Sequence, residues 1–267
     1  MTGVRLTLLI LIFLATSGVS VVTGSTSLIT VPVMFQFGIN PRVAVATNMF
    51  ALTFMSIGGS LPFLRGKEVD RARLPALIAL TLAGSLVGAL LLLVITQNAV
   101  PIIVSSAMIG VAIFSIAYRQ AGVQEFTARP SPRVELAGYA LTFLLGIYGG
   151  FFSGGYVTIL TAVYVAVFRQ SFVEAVATTK LINVFSSGIA TLVFMRQHLV
   201  DYRLGTVLGL AMFVGAFVGA RLATRLGNQW LRRIFLTAVW ALGLKALVYD
   251  LIAKNMTWSH STSTGEQ

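Results

Sequence analysis

Ten apolar runs follow one another along this chain, at about 4–22, 26–38, 43–64, 74–96, 99–118, 134–152, 155–168, 172–195, 204–226 and 232–252. A helix needs about 20 predominantly apolar residues to cross the hydrocarbon core of a bilayer, and most of the runs reach that length. Only 10% of the residues are charged, whereas a soluble domain carries roughly 25%. A chain this poor in charge would expose apolar surface to water almost everywhere, and lipid is the solvent that tolerates it. In lipid each backbone polar group must be satisfied within the protein, which leaves helices as the reading of runs this long. The expected fold class is therefore all-α integral membrane, with about 8–10 membrane segments.

The 19 Lys and Arg against 8 Asp and Glu give a net charge of +11. These cations lie in short loops between apolar runs, where they set orientation and meet anionic headgroups. No basic face for nucleic acid follows from that distribution. The partners expected are the lipid bilayer and a small solute, and the composition is compatible with a homo-oligomer. With no cysteine, neither disulfides nor Cys-ligated metals are available, and no cofactor or metal is expected. Arg5 followed by Leu6–Ala15 imitates a signal peptide, but the apolar character continues past any cleavage point, so it reads as a retained first segment.

The second and seventh runs are too short to cross alone, about 13 residues or roughly 20 Å at a helical rise of 1.5 Å per residue. Each is a half-helix, a re-entrant piece or the second part of a broken span. The interruptions fall at Gly24-Ser25-Thr26-Ser27 and at Gly149-Gly150-Phe151-Phe152-Ser153-Gly154-Gly155. Glycine costs about 1 kcal/mol in a helix interior and readily takes positive φ, so both clusters mark unwinding points.

The two interruptions correspond. Shifted by 131 positions, the first half aligns without a gap from Gly24 to Leu91. Gly24 meets Gly155, and Ala44-Val45-Ala46-Thr47 meets Ala175-Val176-Ala177-Thr178. Phe54 and Ser56 meet Phe185 and Ser187, and Val69-Asp70 meets Val200-Asp201. Gly84 and Gly88-Ala89 meet Gly215 and Gly219-Ala220. Apolar bias alone does not place Asp, Thr and Gly in register over such a length, so the chain reads as a duplication. The boundaries expected are 1–118 for the first membrane repeat, 119–133 for the linker, 134–254 for the second repeat and 255–267 for a polar tail. Homologous loops carry opposite charge bias: the loop near 97–101 has no Lys or Arg, while its counterpart has Arg221, Arg225, Arg232 and Arg233. That favours two helical repeats of inverted topology, each with a broken or re-entrant helix. Joining each short run to its predecessor would instead give four crossings per half and parallel repeats.

Broken helices inside a bilayer present backbone N–H groups and positive dipole ends, which suit an anion. The candidate substrate-binding residues are Gly24, Ser25, Thr26, Thr47 and Asn48 in the first half, with Gly154, Gly155, Thr158, Thr178, Thr179, Lys180 and Asn183 in the second. Hydroxyls and amides hydrogen-bond an oxyanion without adding negative charge. Single small polar residues also serve simply to let membrane helices pack. Lys180 is the basic residue deep in its run, so it must face protein or a watery cavity. Glu174 follows Ser171 in a Ser-x-x-Glu arrangement that reads as a capping box. Asp70 and Asp201 read as caps of the helices that follow, or as partners of Arg65 and Arg196.

A Gly-rich broken segment, an Ala-Val-Ala-Thr run, a Val-Asp loop and a Gly-x-x-x-Gly-Ala helix, each occurring twice, resemble the TauE/SafE sulfite exporter family. The closing Gly215-Ala-Phe-Val-Gly219-Ala-Arg221-Leu-Ala-Thr-Arg225-Leu strengthens the likeness, which runs to about residue 250. The resemblance implies a prokaryotic cell-membrane protein that moves small anions, often sulfur-containing oxyanions such as sulfite or organosulfonates. Gly24-Ser25-Thr26-Ser27 departs from the glycine run common at that place. The function expected is a secondary transporter working by alternating access around the two breaks. The alternatives are an anion channel and an intramembrane enzyme. His198 and His260, the two histidines, lie outside the apolar runs, and neither His-Glu-x-x-His nor Gly-x-Ser-x-Gly is present, which argues against an enzyme. No Walker A sequence is present to drive the process with ATP.

Overall fold

The structure, a computed structural model, describes residues 3–24, 26–64, 69–117, 130–225 and 233. These form nine helices: α1 Gly3–Thr23, α2 Ser27–Gln36, α3 Pro41–Leu64, α4 Leu74–Val94, α5 Ala99–Ala117, α6 Pro132–Phe151, α7 Tyr156–Val167, α8 Phe172–Arg196 and α9 Tyr202–Ala223. No strand occurs among the described residues. Six of the helices, α1, α3, α4, α6, α8 and α9, are long and apolar enough to cross a membrane. The run at 232–252 apart from residue 233, residues 119–129 of the linker and the 255–267 tail lie outside the described residues.

Short-range chemistry sets several helix starts. The Ser171 Oγ accepts from the Glu174 backbone N–H at 3.3 Å, and the Glu174 carboxylate accepts from the Ser171 N–H at 2.8 Å. This reciprocal cap fixes the start of α8. Asp201 caps α9, accepting from the Leu204 N–H at 3.0 Å, and makes no ion pair with Arg196 among the described residues. Asp70 is engaged by Arg73, 2.6 Å away; Arg65 lies outside the described residues. The same guanidinium donates to Glu135 at 2.6 Å and stands over the Phe168 ring. It thereby ties the starts of α4 and α6 to the end of α7.

Residue pairs give the direction of each helix. Thr47 meets Asp201, Gly205 meets Phe50, Gly209 meets Phe54 and Gly58 meets Phe213, so α3 and α9 run parallel. Gly215 sits on Leu14 and Ser17 while Gly219 sits on Gly18, so α1 also runs parallel to α9. Arg73 with Glu135, Gly84 with Phe143 and Gly88 with Phe151 make α4 parallel to α6. Between α3 and α8 the numbers run oppositely: Gly59 faces Lys180, Ser56 bonds Asn183 and Thr53 lies 3.2 Å from Thr191. These two central helices are antiparallel. The glycines of both Gly-x-x-x-Gly pairs pack backbone against backbone, the use of small residues expected in membrane helices.

The short helices fold back. Tyr156 packs on Gly149, the Tyr164 and Thr142 hydroxyls lie 3.2 Å apart, and Phe168 packs on Gly138, so α7 returns along α6 as a hairpin. Likewise α2 runs back along α3, with Thr26 at Met55 and Thr30 at Asn48. At 10 and 12 residues, α2 and α7 extend roughly 15 and 18 Å and cannot cross. Each short helix folds back antiparallel to the helix it packs on. The second interruption is also narrower than its glycine cluster: Gly149, Gly150 and Phe151 are still helical, and the unwound stretch is 152–155. Those two helical glycines serve packing, since a Cβ would strike the Tyr156 ring from Gly149 and the Ser85 backbone from Gly150.

The radial pattern is that of a membrane protein. Leu90 and Val94 of α4, Leu144 of α6 and Leu210, Val214 and Leu222 of α9 point outward, while Ser17, Thr30, Asn48, Thr81, Ser186 and Thr191 are buried. Lipid receives the apolar side chains and the protein interior keeps the hydroxyls.

Candidate functional site

Both interruptions turn on a left-handed glycine: Gly24 has φ +72° and Gly155 has φ +77°. Only glycine takes this conformation at no steric cost, and the two stand 131 positions apart. A second left-handed pair, Gly38 at +78° and Arg169 at +58°, has the same separation.

The two tips touch. The Thr158 hydroxyl donates to the Thr23 carbonyl at 2.6 Å. A Cβ on Gly24 would lie 2.7 Å from the Thr158 nitrogen and 2.8 Å from the Val157 Cβ. Gly154 is wedged against the Phe152 ring and Leu28, its carbonyl accepts from the Tyr148 hydroxyl, and Gly155 is pressed by Val111 of α5. Neither α2 nor α7 has a side-chain cap at its N-terminus, although both begin inside the protein.

Lys180 of α8 reaches this junction. Its ammonium donates to the Ser20 carbonyl at 2.9 Å, the acceptor also used by the Gly24 N–H at 2.8 Å. The cation therefore sits at the C-terminal end of α1, where the helix dipole is negative. Lys180 is 2% exposed and is the one charged side chain among the buried residues described. An ammonium has three donors, and the Ser20 carbonyl takes one of them.

One turn further along α8, the Asn183 amide donates to the Ser56 hydroxyl of α3 at 2.6 Å, and its Oδ1 is buried without a partner. A hydroxyl both donates and accepts, so turning this amide keeps the Ser56 bond and redirects the Nδ2 donors. Lys180 and Asn183 thus lie one turn apart on α8, tied to α1 through Ser20 and to α3 through Ser56, with donors to spare.

Other expected residues are spent differently. Asn48 is engaged at both amide atoms, donating to Ser27 at 2.9 Å and accepting from Thr30 at 2.7 Å, and it pins α2 to α3. Thr26 donates to the Met55 sulfur at 3.4 Å, also at the α2–α3 contact. Thr47 accepts from the Asp201 N–H at 3.0 Å and so belongs to the α3–α9 joint. Thr179 donates to the Val176 carbonyl and stands 3.2 Å from Thr161 of α7. The Thr178 hydroxyl is buried without a partner. Ser25 lies outside the described residues. Ser20 and Ser56 were not among the expected site residues. Ser20 is marked in the sequence as the position one helical turn before the Gly24 break, at the C-terminal end of α1, where the helix dipole favours a cation.

Comparison with known proteins places this geometry in a lineage. Residues 8–246 match the family model described as Sulfite exporter TauE/SafE. The chain is 26% identical over 235 residues to "Probable membrane transporter protein YfcA" of Escherichia coli K12, covering 86% of this chain and 84% of that protein. It is 26% identical to "Probable membrane transporter protein ORF9" of Sinorhizobium sp, covering 85% and 86%, and 23% identical to a "Probable membrane transporter protein" of Haemophilus influenzae, covering 88% and 91%. No solved structure matches the chain. With a family model covering nearly its whole length and a bundle of membrane-length helices folded around a polar interior, this multi-pass membrane transporter belongs to the TauE/SafE sulfite exporter family.

Proposed function

We propose that this protein is a secondary transporter of a small anion, a sulfur-containing oxyanion or organosulfonate, held where the two helix interruptions meet. The observation that carries the reading is Lys180: a buried cation with unspent donors, set beside two uncapped helix starts and an amide with a free face. A lone charge in a membrane interior is costly unless it has a partner, and no Asp or Glu is among the buried residues described. A negative solute supplies what the protein withholds.

The moving parts follow from an inverted duplication. In this reading α1–α4 and α6–α9 are equivalent, with α5 returning the chain between them. The parallel α1–α9 and α4–α6 pairs, the antiparallel α3–α8 pair and the left-handed residues recurring at 131 all favour it. Such repeats exchange their conformations when the site opens to the other side, which is alternating access around a fixed centre.

Purified protein in proteoliposomes, loaded with unlabelled methanesulfonate or sulfite and given labelled solute outside, is expected to show saturable counterflow. Unsaturated conductance would make the protein a channel instead. Absence of anion flux in either form would overturn the reading.

A further inference from the structure

We infer that the site selects solutes by charge, taking monoanions and rejecting dianions, with Lys180 as the residue that sets the limit. The inference rests on the anion reading above and adds the class of anion.

The fixed charges at the junction can be counted. Each interruption brings together one helix C-terminal end and one N-terminal end: α1 with α2, and α6 with α7. A helix carries about half a negative charge at its C-terminus and half a positive charge at its N-terminus. Within each break the two ends offset one another. What remains is Lys180, the one charged side chain among the buried residues described. Its duplicated position, 131 residues earlier, is Met49, which is buried and neutral. The charge is therefore present once, although the backbone features around it occur twice.

A solute with one negative charge makes the site neutral. It can take the ammonium donors that Ser20 leaves, and its remaining oxygens can accept from the Asn183 amide, turned on its Ser56 bond. A dianion of the same shape leaves one uncompensated negative charge inside the bilayer, where screening by water is lost. Arg73, at the start of α4, is committed to Asp70 and Glu135 and brings no help.

The test compares methanesulfonate with sulfate, which share sulfonyl oxygens and differ by one charge. Wild-type protein in proteoliposomes is expected to accumulate labelled methanesulfonate, while sulfate at 100-fold higher concentration fails to compete. Lys180→Met is expected to lose methanesulfonate uptake by at least 100-fold, and Lys180→Arg to retain part of it. Met49→Lys, which places a second charge at the duplicated position, is expected to let sulfate compete at least 10-fold better. Size-exclusion profiles identify any variant that fails to fold, and the wild-type competition ratio decides without it. Sulfate entering as readily as methanesulfonate would overturn charge selection while leaving anion transport standing. Flux of neither would overturn both. Full methanesulfonate uptake by a folded Lys180→Met protein would remove Lys180 from the role.

Discussion

Gly24→Ala is expected to lower thermal stability in detergent by about 2–5 kcal/mol and to abolish transport in whatever protein folds. Two costs add. A residue with a Cβ held at φ +72° loses roughly 1–2 kcal/mol. The new Cβ would also stand 2.7 Å from the Thr158 nitrogen and 2.9 Å from the Val157 carbonyl carbon. Those are backbone atoms of α7 and cannot step aside as a side-chain end would, so overpacking adds about 1–3 kcal/mol. Gly38→Ala is the control, since it has φ +78° and nothing within 4 Å of its Cβ position. It is expected to show the first cost alone and to transport normally. The equivalent position already carries Arg169 at positive φ. A melting series by size-exclusion chromatography, with counterflow on the surviving fraction, measures both. Equal losses from the two glycines would mean that backbone strain, not contact between the tips, explains the need for glycine at position 24.

Asn183→Asp is expected to reduce anion counterflow at least 100-fold while leaving the fold intact. The change is nearly isosteric: Asp loses the Nδ2 donor that Ser56 accepts from, but the hydroxyl can turn and donate to the carboxylate instead, so packing between α3 and α8 is preserved. What changes is charge. A carboxylate one helical turn from Lys180 gives the ammonium an internal counter-ion and repels the solute. Asn183→Leu removes only the amide, and the loss of one hydrogen bond corresponds to roughly a tenfold reduction. Counterflow rates for the pair separate the electrostatic effect from the hydrogen bond. Asp and Leu variants that are equally impaired would place the solute away from Asn183.

Much of this architecture was readable from local chemistry. Gly24 and Gly155 announce their breaks because only glycine pairs cheap unwinding with positive φ. Ser171 and Glu174 announce the start of α8 because both partners of the cap lie within one turn. Asp201 caps α9 by the same logic. What stayed hidden depends on contacts across the bundle. Thr47 accepts from the Asp201 amide, which α9 brings to it across 154 positions. The Lys180 ammonium finds the Ser20 carbonyl 160 positions away, and nothing in either neighbourhood names the other. Arg73 chooses Glu135 of α6 for the same reason. The glycine cluster from 149 to 155 misled in the other direction. Its first two members serve close approach of Tyr156 and Ser85 rather than unwinding, and composition alone does not separate the two uses of glycine.

The chain has no cysteine, which permits a direct probe of the junction. Ser56→Cys, on α3 beside Asn183, can be exposed to a membrane-impermeant methanethiosulfonate reagent from either face of oriented proteoliposomes. A solute site reached alternately from both sides gives modification from each face, slowed severalfold by saturating methanesulfonate. Modification from neither face in protein that still transports, or modification indifferent to the solute, would contradict a site where the two interruptions meet.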